Sequence, residues 1–488
     1  MSSEPHGIAF PADASGRRSS TAVGRGVIAD ALRPVDPAGA RAAEQETAWR
    51  GRYLVHFRRQ VEAGLGEPRD WLAMAAAGLD SIADRMAVVR DGTDAPVRTL
   101  LTDSPDRELG TVELRGTRPP AERLAIPYRG RELAGDALRA QLDGWVAAGV
   151  MEPSARDAVG VVIDNPGWLA LPGRTVAVLG AGAEMGPLPA LLRWGATAAA
   201  VDLPRPAVWE RIARLARDGA GRLLVPVREP DTGRGLPHSA GVDLLAEVPA
   251  VAEWLLTRPE RLVLGNYLYA DGGVHTRISL AADVLAQRLQ AARPDLALAF
   301  LATPTDVFAV PGEAVEHSVR AYARRSRTAK LLGRPLRWAS RGRLLHRAYQ
   351  PGADPGVCDA LVPAQGPNYA LAKRIQRWRA AVARDAGATV SFHVAPSSRT
   401  SSVVKNKALA AAFAGAHRFA VEIFEPTTAN ALMAALLVHD LSTTPVTHPH
   451  PWRDEADGAV HGGLWRTPYA PRSSLGLAAV LGYTTARM

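Results

Sequence analysis

Cysteine is all but missing from this chain. Cys358 stands alone among 488 residues, which excludes an intramolecular disulfide and fits a reducing cytoplasm. Long apolar runs are missing too. None approaches the roughly 20 residues that a membrane span needs. The opening Met-Ser-Ser-Glu-Pro-His lacks the apolar core of a secretory signal. Acidic residues are absent from one stretch: Arg320 to Arg347 holds ten Lys or Arg and no Asp or Glu. The formal net charge is +9, so the remainder of the chain carries −1. The basicity is therefore local, which argues against a protein that coats nucleic acid, and no nucleic-acid partner is expected.

What is present is a strand–turn–helix–strand unit between Thr175 and Asp202. The apolar run Val176-Ala177-Val178-Leu179 reads as a buried parallel strand. Gly180-Ala181-Gly182-Ala183-Glu184-Met185-Gly186 follows, then a helical pattern through Leu188, Leu191, Leu192 and Trp194. A second run, Ala198 to Val201, ends on Asp202. Glycines allow a tight turn and close approach of a pyrophosphate, and an acid at the second strand end can accept hydrogen bonds from a ribose diol. The unit predicts an adenosine-containing cofactor on a doubly wound parallel sheet. Methyltransferases that use S-adenosylmethionine share nearly the same pattern.

Around that unit the chain divides into four parts. Residues 1–45 lack apolar periodicity and read as a disordered tail. Residues 46–165 read as a mainly helical accessory region. Residues 166–445 read as the cofactor-binding α/β domain. Its strands fall at Arg222–Val227, Arg261–Gly265 and Leu296–Ala302, with a surface loop over 228–240 and an insertion over about 308–362. Residues 446–488 form a C-terminal extension on the substrate side. The insertion holds the basic stretch, interleaved with Tyr322, Leu331, Leu332, Leu336, Trp338, Leu344 and Leu345. That mixture suits a helical insertion packed on the domain, or a contact with anionic membrane or an acidic partner through 320–347.

After the insertion comes Gly366-Pro367-Asn368-Tyr369-Ala370-Leu371-Ala372-Lys373. Residues four apart share a helix face. An ammonium near a phenol eases its deprotonation, and a tyrosine so placed can exchange a proton while hydride moves to or from carbon.

With these residues the chain, over about 173–440, resembles the short-chain dehydrogenase/reductase superfamily. The resemblance implies a Rossmann fold and reversible carbonyl–alcohol interconversion on a small-molecule substrate, with the extra segments suggesting a bulky or hydrophobic one. It implies Tyr369 as general acid/base, Lys373 as its partner and ribose ligand, and Asn266 as part of a proton relay. The family's substrate-holding serine has no counterpart, and Thr303 is expected in its place, with Thr305 second. About 65 residues separate that strand end from the tyrosine. The resemblance further implies cofactor contacts from Gly180, Gly182, Met185, Gly186, Asp202, Asp243, Pro396 and Thr400. Leu188 stands where the family's last loop glycine would fall. Asp202 favours NAD over NADP, and Arg205 pulls the other way by offering a partner to a 2′-phosphate. A homo-oligomer in the cytoplasm, peripherally associated with membrane, is compatible with this picture. Two rivals remain open: a methyltransferase, and a non-catalytic dinucleotide-sensing scaffold.

Several histidines invite other roles. His439, His448, His450 and His461 lack familiar metal-ligand spacing, and no metal is expected. His461-Gly462-Gly463-Leu464-Trp465-Arg466 and His275 are weighed as substrate-lining elements.

Overall fold

A computed structural model describes residues 6–228 and 235–485. Residues 229–234, inside the loop expected over 228–240, lie outside the described residues, as do the first five and the last three. The centre is a seven-stranded sheet: β1 (Gly110–Arg115), β2 (Arg174–Leu179), β3 (Thr197–Val201), β4 (Arg222–Val227), β5 (Arg261–Asn266), β6 (Ala297–Ala302) and β7 (Val390–Val394). They lie in the order β7-β6-β5-β2-β3-β4-β1. All neighbours pair parallel except β1, which closes one edge antiparallel to β4. The chain is thus α/β with a mostly parallel central sheet flanked by helices.

Alternation along the strands feeds two separate cores. Val176 and Val178 of β2 face one, with Ala198 and Ala200 of β3 and Val263 of β5. Ala177, Leu179, Ala199, Val201, Leu262 and Leu264 face the other. A sheet buried on both faces needs apolar residues at consecutive positions, which is why these strands read as unbroken apolar runs.

The N-terminal part differs from expectation. Residues 7–45 form no disordered tail. Gly7–Ala9 pairs with Ala87–Arg90, which pairs with Thr93–Pro96. Ser20–Leu32 is a helix whose N-cap Ser19 accepts from Ala22, and it buries Val23, Val27, Ile28 and Leu32. Its apolar face is diluted by alanine and glycine, and this hides the period. Region 46–165 is also less helical than expected: besides its helices it contains the strands at 87–90, 93–96, 125–128 and 131–134, and supplies β1 to the main sheet.

The insertion leaves and rejoins the domain through one two-stranded clip, Val307–Val310 against Gly356–Asp359. Because the clip brings both ends together, the long detour does not move helix Gly366–Asp385 away from the end of β6. A late helix, Pro426–Ser442, packs into the core, and no strand follows it among the described residues. The C-terminal extension instead lies against β7 and residues 150–152, through Val460 N to Val394 O at 2.9 Å and Gly462 N to Val150 O at 2.8 Å.

Candidate functional site

Asn266 ends β5, Thr303 follows β6, and Tyr369 and Lys373 lie one turn apart on helix 366–385. The sheet order sets β5 beside β6, so these residues converge at the carboxyl edge. Thr303 neighbours the Tyr369 phenol closely enough to ease its deprotonation. Thr303 and Thr305 share a hydroxyl–hydroxyl bond of 2.8 Å, and Gln365 Nε2 donates to Thr305 at 3.0 Å. Lys373 Nζ donates to Leu301 O at 3.2 Å and to Gln376 Oε1 at 3.1 Å. Gln376 Nε2 in turn donates to Asn266 Oδ1 at 3.5 Å. A polar chain therefore runs from Lys373 through Gln376 to Asn266. Gln376 was missed in sequence, although its spacing of three from Lys373 put it on the same face. Beneath it lies a cavity of about 10 Å³ lined by Asn266, Gln376, Ser279 and Asp283, about enough for one water.

Burial sets the ionisation of these groups. It pushes the Tyr369 phenol up to about 12, offset in part by the neighbouring Thr303 hydroxyl. It brings the Lys373 ammonium down to about 8, against the pull of the Asp306 carboxylate. His275 is 1% exposed, and its ring centroid lies 5.3 Å from those of Tyr369 and Tyr269. Burial, then the charge of Lys373, pulls its imidazole down to about 3, so it stands neutral against the tyrosine. Asp306 is itself held low despite full burial, because Arg374 and Arg377 face it. Arg377 spans Asp306 at 2.8 Å and Glu455 at 2.5 Å.

The expected cofactor residues gather around the ends of β2, β3 and β7. Gly180 has φ +77°, and a side chain there would meet Tyr267 O at 3.1 Å. At Gly182 an added Cβ would meet Arg211 Nη2 at 2.8 Å and Asp202 Oδ2 at 3.2 Å. The positive φ and the backbone at 3.1 Å require glycine at 180, whereas at 182 the closest group is the movable end of Arg211. Gly186 has only ordinary contacts there, and its carbonyl accepts from Asn430 Nδ2. Met185 turns inward and, with Pro187, Tyr267 and Met433, lines a second cavity of about 10 Å³.

Asp202 Oδ2 accepts from Gly182 N at 2.7 Å and Oδ1 from Leu203 N at 2.8 Å. A carboxylate has about four acceptor sites, so capacity remains for a ribose diol, and the residues fit that end of a dinucleotide. The turn is less generous to phosphate. Its Ala183 and Gly186 amides are used internally, and Pro187 and Pro189 have none. Asp243 lies next to Val242, whose amide donates to Asp202 O at 2.9 Å, and its Oδ1 accepts from Leu245 N at 3.0 Å. The turn from Pro396 to Thr400 pairs with Phe424, through Arg399 N to Phe424 O at 2.9 Å. Thr400 shares a hydroxyl bond of 3.0 Å with Ser402. Glu184 of the glycine turn accepts from Ser401 N at 2.8 Å and from its hydroxyl, tying the two turns together.

The other histidines have structural partners. His461 is fully buried and bonds Glu152 Oε1 at 2.9 Å, while Arg466 Nε meets the same oxygen at 2.9 Å. Gly463 N donates to His461 Nδ1 at 3.1 Å, so the proton sits on Nε2 and points at Glu152. The expectation that His461 lines a substrate site is therefore corrected: it pins the C-terminal extension to residues 150–152. His393 and His439 both reach Asp440, at 2.6 and 3.0 Å. Cys358 is buried, and burial pushes its thiol up to about 12. Among the described residues no group of three or more His, Cys, Asp and Glu could hold a metal ion, and no helix is long and apolar enough to cross a membrane. No protein-family model, curated protein or solved structure matches this chain.

Proposed function

We propose that this chain is a nicotinamide-dinucleotide-dependent oxidoreductase of the short-chain dehydrogenase/reductase type, reducing a carbonyl to an alcohol. The run β4-β3-β2-β5-β6-β7 is the Rossmann strand order, and in such sheets ligands bind outside the carboxyl ends where the order reverses, here between β2 and β5. The observation that carries the reading is the meeting of Thr303, Tyr369, Lys373 and Asn266 at that edge, from positions as far as 107 residues apart in sequence.

In this reading Thr303 and the phenol hold the substrate oxygen. A phenol near 12 stays protonated at neutral pH, so Tyr369 acts as the acid and gives its proton to the forming alkoxide. Lys373, charged below about pH 8, offsets the phenolate left behind. Gln376, Asn266 and the one-water cavity offer a route for returning the proton. A bound nicotinamide cofactor would supply the hydride, held by Asp202 at one ribose and Lys373 at the other, with NAD ahead of NADP. The expected location is cytoplasmic.

The test is turnover of a carbonyl and alcohol panel read by NADH absorbance. Tyr369→Phe should cost about 10² to 10⁴ in rate while leaving cofactor affinity nearly unchanged. Lys373→Met should cost both, and the double variant should lose less than the sum of the two. The second reading is a non-catalytic dinucleotide-binding scaffold, favoured by the Glu184–Ser401 bond that closes the glycine turn. Cofactor binding with no turnover on any substrate, or full turnover in Tyr369→Phe, would replace the first reading with the second.

A further inference from the structure

The fold gathers three acid-free segments into one lobe. Residues 320–347 carry ten Lys or Arg, and 399–421 with 467–485 add Arg399, Lys405, Lys407, Arg418 and Arg472, all without an Asp or Glu. Leu345, Phe419, Tyr469 and Ala478, one or two from each segment, form a small core of their own. Leu345 N donates to Ser473 O at 3.3 Å and Ala470 N to His346 O at 3.1 Å. Arg325 stacks 3.2 Å from the Tyr322 ring centroid. Helices Lys407–Gly415 and Pro471–Thr485 cross at small residues: a Cβ on Gly482 would fall 1.9 Å from Ala411 O. The lobe is thus held together by aromatic and small-residue packing, not by ion pairs within it.

Helix Arg327–Ala339 is the outer element. Positions 327, 331, 334 and 338 fall at i, i+4, i+7 and i+11, one stripe of a helix. They are Arg327, Leu331, Arg334 and Trp338, and all four are exposed. Trp338 is 86% and Leu331 67% exposed. Elsewhere in the lobe Val404 and Val480 are 57% and 62% exposed. Water is a poor environment for an unpaired Trp and Leu, and among the described residues no ion pair engages Arg327 or Arg334 beside them. An anionic bilayer surface answers both: its headgroups attract Lys and Arg, and the boundary below them accepts Trp and Leu. A nucleic acid answers the charge and can stack a base on Trp338, but it offers no apolar layer to Leu331, Val404 and Val480.

We propose that this lobe docks on an anionic lipid surface, with the stripe from Arg327 to Trp338 lying in the headgroup layer. Docking is independent of the oxidoreductase reading and can be tested on the full chain without any substrate. The measurement is co-sedimentation with vesicles of phosphatidylcholine alone and of an equimolar phosphatidylcholine–phosphatidylserine mixture, at about 0.1 M and about 0.5 M salt. Binding is expected only with phosphatidylserine and should weaken at the higher salt. Arg327→Glu with Arg334→Glu should weaken it about tenfold or more. Trp338→Ser should also weaken it about tenfold, although it changes no charge. Circular dichroism checks that each variant folds, which the exposure of these residues leads one to expect. Failure to bind the anionic vesicles overturns the proposal, as does equal binding to both vesicle types. So does unchanged binding by Trp338→Ser, since a charge-only interaction would then account for the lobe and a polyanion or acidic protein would be the better partner.

Discussion

Helices 327–339 and 366–385 are both rich in arginine, and they treat it in opposite ways. On helix 366–385, Arg374 and Arg377 are 3% and 2% exposed, and both reach Asp306. On helix 327–339, Arg327 and Arg334 face solvent. Charge density along the chain does not separate the two cases. The difference is made by carboxylates brought from elsewhere: Asp306 from the end of β6, and Glu455 from beyond the late helix. Buried arginine survives only where such partners converge, because an unpaired buried charge costs several kcal/mol.

Arg377→Met sharpens the comparison most. It leaves Asp306 and Glu455 buried without their shared cation and should cost about 3–5 kcal/mol in urea unfolding. A loss under about 1 kcal/mol would mean that the two carboxylates escape by protonation, and the contrast between the helices would weaken.

Glu152 probes the same principle where the C-terminal extension meets residues 150–152. Burial alone would raise its pKa, but the bonds from His461 and Arg466 overcome that and hold it at about 2, against an ordinary 4.5. A carboxylate with a depressed folded value contributes stability that is complete above pH 4.5 and is lost as pH falls toward 2. Glu152→Gln should flatten that acid limb in thermal melts between pH 2 and 4.5.

Lys373 is half-buried and, among the described residues, has no carboxylate in bonding distance, and the sign reverses. Its folded value near 8 lies below the ordinary 10.5, so the unfolded chain binds the extra proton between those limits. Stability should rise as pH goes from about 8 to 10.5, and Lys373→Met should lack that rise. Activity should fall as pH rises through about 8, where the folded ammonium is lost, and Lys373→Arg, always charged, should move that fall to higher pH.

The smallest effect belongs to the exposed helix. Arg334→Met should change stability by no more than about 0.5 kcal/mol. A larger loss would show that Arg334 has a partner in the folded chain.

Strong local patterns were legible. The runs at 176–179, 198–201 and 261–265 announced buried strands because both their faces are covered. The pair Tyr369 and Lys373 announced a helix face because the spacing is local. Ser20–Leu32 was not legible as a helix, because its Val23, Val27, Ile28 and Leu32 sit in a stretch rich in Ala, Gly, Ser and Arg, and it becomes a core element where Trp49 and Leu371 meet it. Nor was β1 legible: Gly110–Arg115 is a half-exposed edge strand whose partner β4 lies over 100 residues away. His461 looked like a site residue because a histidine among glycines reads as an accessible turn, and its partner Glu152 is some 300 residues distant.

The sequence alone determined the parallel α/β class, the glycine turn with its acid at the next strand end, and the acid-free stretch from 320 to 347. Each depends on neighbours within a turn or a strand, where spacing and composition suffice. Tertiary structure decided which charges are paired, that Thr303 and Tyr369 come to the same sheet edge across a long insertion, and that three acid-free segments make one lobe. Those outcomes depend on contacts between residues tens to hundreds of positions apart. Such contacts form only when the sheet order, the 307–310/356–359 clip and the two cores bring their backbones together.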